Sequence, residues 1–482
     1  MRSSRTVLAA AAALAAAVCT PLLTAPAASA APAKLAEDFN GDGYRDLVLL
    51  GGTHGKDGRV TVVYGTSTGP GTRVQTIHQD SSGIPGAVEE GDDWGFAATS
   101  ADLDRDGYAD LVVASPGEDV GDIQMRGGLT VVWGGAKGLG SGTVFHSPVA
   151  PEYAGSGDSF GLDVVAGDFD GDGDQDLTAI SQSRAGAILL EGPFTRSGGK
   201  GGWQPLGEDY GYLSASQLAA GRVTADAATD LYILGTDLGG DRDMHAFFHR
   251  GGGGFARYPS QVHVPDDSGH QLGGGTVTAI GDFDKDGYGD LAVGRGYEQP
   301  DSERGYVAVH YGGPSGPDTA RKPVTFTQDT AGVPGGRETG DHFGASVAAG
   351  DVNGDGYADL AVGVSGEDLA GKRDAGMVTV LLGRAGGLSG TGAKAYDQDT
   401  SGVAGAIEND DYVGWAVILT DYTRDGRADL LVDTNEQLDN TRRGLVHLLK
   451  GSTSGTTGTG SKTYTVNTLK LPYTTLSGPF PH

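Results

Sequence analysis

Cysteine is almost missing from this 482-residue chain, which has only Cys19. That excludes a disulfide framework and thiolate chemistry for everything beyond the first thirty residues. The 11 histidines are scattered and include no H-E-x-x-H pair, so no zinc-hydrolase motif can be drawn from them. Basic residues are scarce, 34 Lys and Arg against 63 Asp and Glu for a net charge of −29. A surface of that sign argues against nucleic acid, whose phosphates need a basic face, and in favour of cations. Beyond the first thirty residues no apolar run approaches the roughly 20 residues of a membrane helix. Glycine, at 85 residues, and aspartate fill the space.

The N-terminal segment reads as a secretion signal, residues 1–30. Arg2 and Arg5 give a basic start, Val7 to Ala17 an apolar core, and Ala28-Ser29-Ala30 a small-residue cleavage site. Ala16-Ala17-Val18 before Cys19 fit a lipoprotein box poorly. The expectation is a secreted, extracellular protein cleaved after Ala30, and losing the two arginines takes its net charge from −29 to −31.

Seven acidic nonapeptides follow, starting at Asp38, Asp102, Asp168, Arg222, Asp282, Asp351 and Asp421. They hold 24 aspartates and lie 54 to 70 residues apart. Each runs into a short apolar stretch such as LVLL, LVVAS or LAVG, which is strand language. Long-period recurrence of this kind predicts a radial β architecture in which no unit buries its own faces.

Numbered one to nine, the copy at Asp102 places carboxylates at one, three, five and nine and Gly107 at six. A hard cation such as Ca²⁺ takes six to eight oxygens, and a loop turning at a glycine can aim alternate side chains at one point, with the carbonyl of position seven added. Five copies are complete and define five candidate metal sites. They are Asp38, Asn40, Asp42, Tyr44 and Asp46; Asp102, Asp104, Asp106, Tyr108 and Asp110; Asp168, Asp170, Asp172, Asp174 and Asp176. The other two are Asp282, Asp284, Asp286, Tyr288 and Asp290; and Asp351, Asn353, Asp355, Tyr357 and Asp359. The copy at Asp421 offers Asp421, Thr423, Asp425 and Asp429 for a sixth. The copy at Arg222 retains Thr224, Asp226 and Asp230, lacks the glycine, and is expected to be empty. An EF-hand needs a glutamate at twelve and flanking helices. Here position twelve is Leu49, Val113, Ala179, Val293 or Val362. A solvated acidic β-turn without metal is the plainer alternative.

Each period carries four strand-like stretches, clearest in the sixth unit: HFGASVAAG, DLAVGVS, GMVTVLLG and AKAYDQD. Calling them A to D makes the acidic loop the A–B turn and the Gly-rich stretch after C the C–D turn. The fold class expected is all-β, a seven-bladed β-propeller of four-stranded antiparallel blades over residues 31–472, with 473–482 as a tail.

Eight residues before the acidic loop stands an aromatic-glycine pair, Trp94-Gly95, Phe160-Gly161 and Phe343-Gly344, and VVASPGED or AVGVSGED follows it. This pattern resembles the FG-GAP repeats of the integrin α-subunit propeller. It weakens to Val413-Gly414 in the seventh unit and is missing in the fourth and fifth, where Ser214 and Gly274 stand. In the same register strand A of blade one begins near Ala31, and blade seven takes its outer strand from SKTYTVNTLKL, so that first and last blades close by packing.

Strand polarity puts the A–B and C–D turns on one face and the B–C loops and D-to-A crossings on the other. The resemblance implies ligands on that second face. The recurring Q-D-[ST]-x-G of the crossings reads as a fixed turn, and Trp94, Phe343 and Trp415 as packing between blades. The G-x-S-x-G at Gly65 falls in a C–D turn, which makes Ser67 turn chemistry rather than a nucleophile. The function expected is a non-catalytic, calcium-binding adhesion or interaction module that is a monomer without a membrane span. It presents loops to an extracellular protein or carbohydrate and has no nucleic-acid partner. The alternative is an extracellular hydrolase or lyase on polysaccharide or lipid, with its site at the channel mouth.

Overall fold

The computed structural model describes residues 33–51, 58–150, 157–183, 185–207, 213–237, 244–252, 260–263, 276–296, 304–439 and 443–476. The expected signal peptide lies outside them. Among the described residues there is no α-helix, and seven antiparallel blade sheets follow one another along the chain. Six have four strands in sequence order from inner to outer; blade six, for instance, runs Phe343–Gly350, Asp359–Val364, Met377–Leu382 and Ser389–Tyr396. Among the described residues no helix is long and apolar enough to cross a membrane.

Sequence dictates this because strands B and C are apolar on both faces. Leu111 to Ala114, and Leu129, Val131 and Val132, are all at 0% exposure, since each blade is sandwiched between two others. Seven hydrophobic clusters result, one at each interface of successive blades. The seventh joins Leu47, Leu49 and Val63 of blade one to Leu431, Val446 and Leu448 of blade seven and so closes the ring.

Blade one departs from the expected pattern. Among the described residues its sheet has three strands, Leu47–Gly51, Arg59–Val63 and Val74–Ile77. Residues 33–37 form no strand: Ala33 donates its N–H to Asp102 Oδ2 at 2.7 Å, which draws the chain across to blade two. Strand B therefore reaches the centre, and Val48 joins Thr99, Val165, Leu218, Thr278 and Val347 around an axial cavity of about 330 Å³.

Blade seven takes its outer strand from Thr457–Thr465, four residues ahead of the Ser461 start expected. The expected tail begins at residue 473, yet Tyr473 and Leu476 pack in the closing cluster. The Arg59 guanidinium sits 3.9 Å from the Tyr473 ring centre. The Tyr464 hydroxyl donates to the Pro70 carbonyl at 2.8 Å, a further bond between last and first blades.

Candidate metal centre

The acidic nonapeptides form the A–B turns, and position two anchors each of them. Phe39, Leu103, Phe169, Val223, Phe283, Val352 and Tyr422 are 0–3% exposed, sunk into the blade interfaces. Loop backbones also rivet neighbouring blades. The position-one carbonyls of Asp38, Asp168, Asp282 and Asp351 accept the N–H of Ala109, Thr229, Ala358 and Ala428 of the next blade. Any ion that fixes loop shape thereby fixes blade spacing.

Position nine has a role that sequence reasoning missed. In all seven blades its carboxylate is at most 1% exposed. One oxygen accepts the position-two N–H at 2.8–3.1 Å. The other accepts a glycine N–H of the C–D turn at 2.7–3.0 Å. The A–B and C–D turns are thus clamped together on one face, as strand polarity required. Asp230 does this in blade four, where most of the motif is lost. Its survival there was the available signal that position nine works without metal.

In five loops position one accepts the N–H groups of positions five and six, as Asp282 does from Asp286 and Gly287 at 3.0 and 2.9 Å, whereas in blade three the Asp172 N–H turns to Asp170. Position five accepts the N–H of seven, as Asp286 does from Tyr288 at 3.0 Å. Gly107 at position six has φ 92°, a left-handed conformation that the loop needs for this turn.

Three loops bring positions one, three and nine together, with one oxygen of each within 4.8 Å of the others: Asp102, Asp104 and Asp110; Asp168, Asp170 and Asp176; Asp282, Asp284 and Asp290. The loops at Asp38 and Asp351 carry Asn40 and Asn353 at three, each accepting the position-five N–H at 2.8 Å. The donor set passes a test of fit with a hard cation. Asp104 Oδ1, Asp168 Oδ1, Asp284 Oδ1 and Thr423 Oγ1 are buried without a hydrogen-bond partner, oxygens that metal coordination would satisfy.

Electrostatics point the same way. Burial pushes Asp46, Asp290 and Asp359 up to about 7, Asp110 to about 8 and Asp176 to about 6. Their backbone donors oppose the rise, and neighbouring loop carboxylates reinforce it. A bound cation inverts this logic by holding the carboxylates ionised.

Arginines contribute in ways that no local motif announces. Arg196, from the C–D turn of blade three, reaches Asp104 and Asp106 at 2.6 Å each. Arg321 reaches Asp284 at 2.6 Å. Arg105 pairs with the Asp174 carboxylate, which leaves the Asp174 carbonyl to serve as the position-seven ligand. In blade four Arg250 lies 2.8 Å from Asp226 Oδ2, a cation supplied by the chain itself, although Asp226 Oδ1 is left bare.

On the opposite face the expectations for aromatics divide. Trp94 and Phe343 are 1% and 0% exposed, true inter-blade packing. Trp415 is 52% exposed, because it stands two residues beyond the packed Val413. The Q-D-[ST]-x-G elements are fixed turns: His78, Thr327 and Asp397 donate N–H to Ser81, Thr330 and Thr400 hydroxyls at 3.0 Å. Ser67 lies in the C–D turn of blade one, bridged to Gly69.

The FG-GAP repeat family matches residues 94–144, 274–310 and 343–381, and an FG-GAP-like repeat family matches residues 38–113. The fifth unit is matched although it lacks the aromatic. Among curated proteins the chain is 32% identical to integrin alpha-PS2 of Drosophila melanogaster over 231 residues, 43% of this chain and 15% of that protein. It is 28% identical to integrin alpha-V of Gallus gallus over 234 residues, 46% of this chain and 21% of that one. It is also 28% identical to phosphatidylinositol-glycan-specific phospholipase D of Rattus norvegicus over 169 residues, 34% and 18% respectively. The chain spans about a fifth or less of the length of these relatives.

Proposed function

Taking as premise that this chain is an FG-GAP repeat protein built as an integrin-α-like seven-bladed propeller, we propose that it is a secreted, calcium-stabilised interaction module. Calcium is held by the five complete loops, with a sixth ion at Asp421, Thr423, Asp425 and Asp429. In this role the protein catalyses nothing and presents its B–C loops and crossings to an extracellular protein or carbohydrate as a monomer.

One observation carries this proposal. The metal loops and C–D turns are clamped on a single face by the position-nine carboxylates, which leaves the other face to long loops on a rigid scaffold. Exposed Trp415, whose ring lies 6.4 Å from that of Tyr412 in an edge arrangement, gives that face an aromatic contact. The phospholipase relatives keep a hydrolytic alternative in view. The axial cavity is walled mainly by Ala, Val, Leu and Thr of the inner strands. Its acids Glu37 and Asp46 are engaged by Arg45 and by two backbone N–H groups respectively.

The test is binding of the purified protein to arrayed glycans and to proteins of its own culture envelope, with calcium and with chelator. Calcium-dependent binding weakened by Trp415→Ala supports the proposal. Turnover of glycan, ester or phosphodiester substrates by the same preparation would replace it with the hydrolytic one.

A further inference from the structure

A buried ion pair joins the B–C loop of blade two to the start of blade three on the face away from the metal loops. Arg126 lies 3.1 Å from Asp158 Oδ1, and Asp158 Oδ2 accepts the hydroxyls of Ser147 and Ser181 at 2.6 and 2.7 Å. One carboxylate there meets one guanidinium. The bridges Gly127 to Phe160 and Gly376 to Val413 set blade seven in the same register, so Asp411 corresponds to Asp158 and Ala375 to Arg126. The bonds from Gln182 N–H to the Asp158 carbonyl and from Asn435 N–H to the Asp411 carbonyl align Glu436 with Ser183. Blade seven has therefore lost the arginine and gained a second acid.

Gln398, 2% exposed, donates to Glu436 Oε2 at 2.6 Å, and its own Oε1 is buried with no hydrogen-bond partner. Gly405, at φ 112°, lies directly against the pair. A Cβ there would come within 2.6 Å of Gln398 Nε2 and 3.0 Å of Glu436 Oε2. Asp411, 2% exposed, accepts the Glu408 N–H at 2.7 Å. Among the described residues no ion pair reaches Asp411 or Glu436, and Lys372 contributes only a minor positive field at Asp411. Two carboxylates and a bare amide oxygen stand where blade three balances its charge, and burying such a group without a counter-charge is costly.

We propose that this pocket is a second class of divalent-cation site, in which Gln398 Oε1, Asp411 and Glu436 hold a hard cation such as Ca²⁺ in the place that Arg126 fills beside Asp158. The same trio recurs as Gln79, Asp92 and Glu118 and as Gln328, Asp341 and Glu367, with Gln-to-Glu bonds of 2.7 and 2.6 Å. Gln328 Oε1 is likewise buried and bare. Beside blade six Arg304 stands at the Arg126 position without an ion pair to Asp341, so the blade-seven pocket is the cleaner case. Such an ion ties the crossing to the B–C loop, which makes the partner-facing loops themselves calcium-ordered.

The experiment counts bound Ca²⁺ per chain by equilibrium dialysis and metal analysis of the full protein, with melting curves in calcium and in chelator. Glu436→Gln is expected to lose one ion and, in chelator, to melt no lower than the parent, because it removes a buried repulsion. An unchanged ion count overturns the proposal. So does a variant that fails to fold or melts lower in chelator, since Glu436 would then be a protonated partner of Gln398 that needs no metal. Ala375→Arg combined with Glu436→Ser, which installs the blade-three set, is expected to lose the same ion, and its retention also overturns the proposal. Asp286→Ala reports separately on the A–B loops, so failure of one class of site is distinguishable from failure of the other.

Discussion

Blades four and five are neighbours with the same turn architecture and opposite chemistry. Asp230 and Asp290 occupy equivalent places and make the same bonds, to the position-two N–H at 3.0 and 2.9 Å and to Gly251 or Gly312 at 2.9 Å. Around that shared clamp blade five gathers Asp282, Asp284 and Asp290 within coordination range. Blade four instead offers Arg222 and Thr224 at positions one and three and turns Arg250 onto Asp226. One motif thus carries a clamp present in all seven blades and, in blade five but not in blade four, a group of carboxylates that could hold an ion.

The largest effects should come from the clamp itself. Asp290→Ala strands two buried N–H groups and Asp230→Ala strands three, with the Thr224 hydroxyl besides, at about 1–3 kcal/mol apiece. Denaturant unfolding should show about 2–5 kcal/mol lost for either variant. The loss for Asp230→Ala should be the same in calcium and in chelator, and that for Asp290→Ala greater in calcium. Equal calcium sensitivity in the two would erase the distinction between the blades.

Asp286→Ala removes a ligand and spares the clamp. With free calcium at a hundred times the dissociation constant, the site contributes about 2.7 kcal/mol. That is the drop in unfolding free energy expected in calcium, with little change in chelator; a drop of similar size in chelator would make the loop a plain acidic turn.

The pH dependence sharpens the same contrast. Burial raises Asp290 to about 7 and Asp110 to about 8, while an unfolded aspartate titrates near 3.9. The folded, metal-free protein therefore binds protons that the unfolded chain has released, and its stability falls as pH rises from about 4 to about 8. Calcium removes that loss, so the gap between calcium and chelator melting temperatures should widen from pH 5 to pH 8. A gap that is constant with pH would contradict this coupling.

Arg250→Ala should have the smallest effect. The pair with Asp226 is 48% and 37% exposed, and such pairs contribute at most about 1 kcal/mol. The loss is expected to be independent of calcium; the same variant acquiring a calcium ion would show that the arginine was all that kept the loop empty.

Much of this was legible because the repeat fixes both period and polarity. The A–B turns, strands B and C, and the packing of Trp94 and Phe343 follow from local pattern. What escaped lies in contacts between distant parts of the chain. Arg196 meets Asp104 from 92 residues away, and no motif around either residue announces it. Ala33, in the stretch where the inner strand of blade one is expected, donates instead to Asp102, a bond across 69 residues. Trp415 sits in an aromatic-rich stretch but two residues out of register with the packed position, which turned it to solvent. Spacing alone makes position nine a ligand and cannot show that both its oxygens accept backbone donors.

The most direct test is the melting temperature of the whole protein at neutral pH in millimolar calcium and in excess chelator. A clear rise in calcium that reverses on chelation is the expected result. Superimposable curves in the two conditions would contradict it.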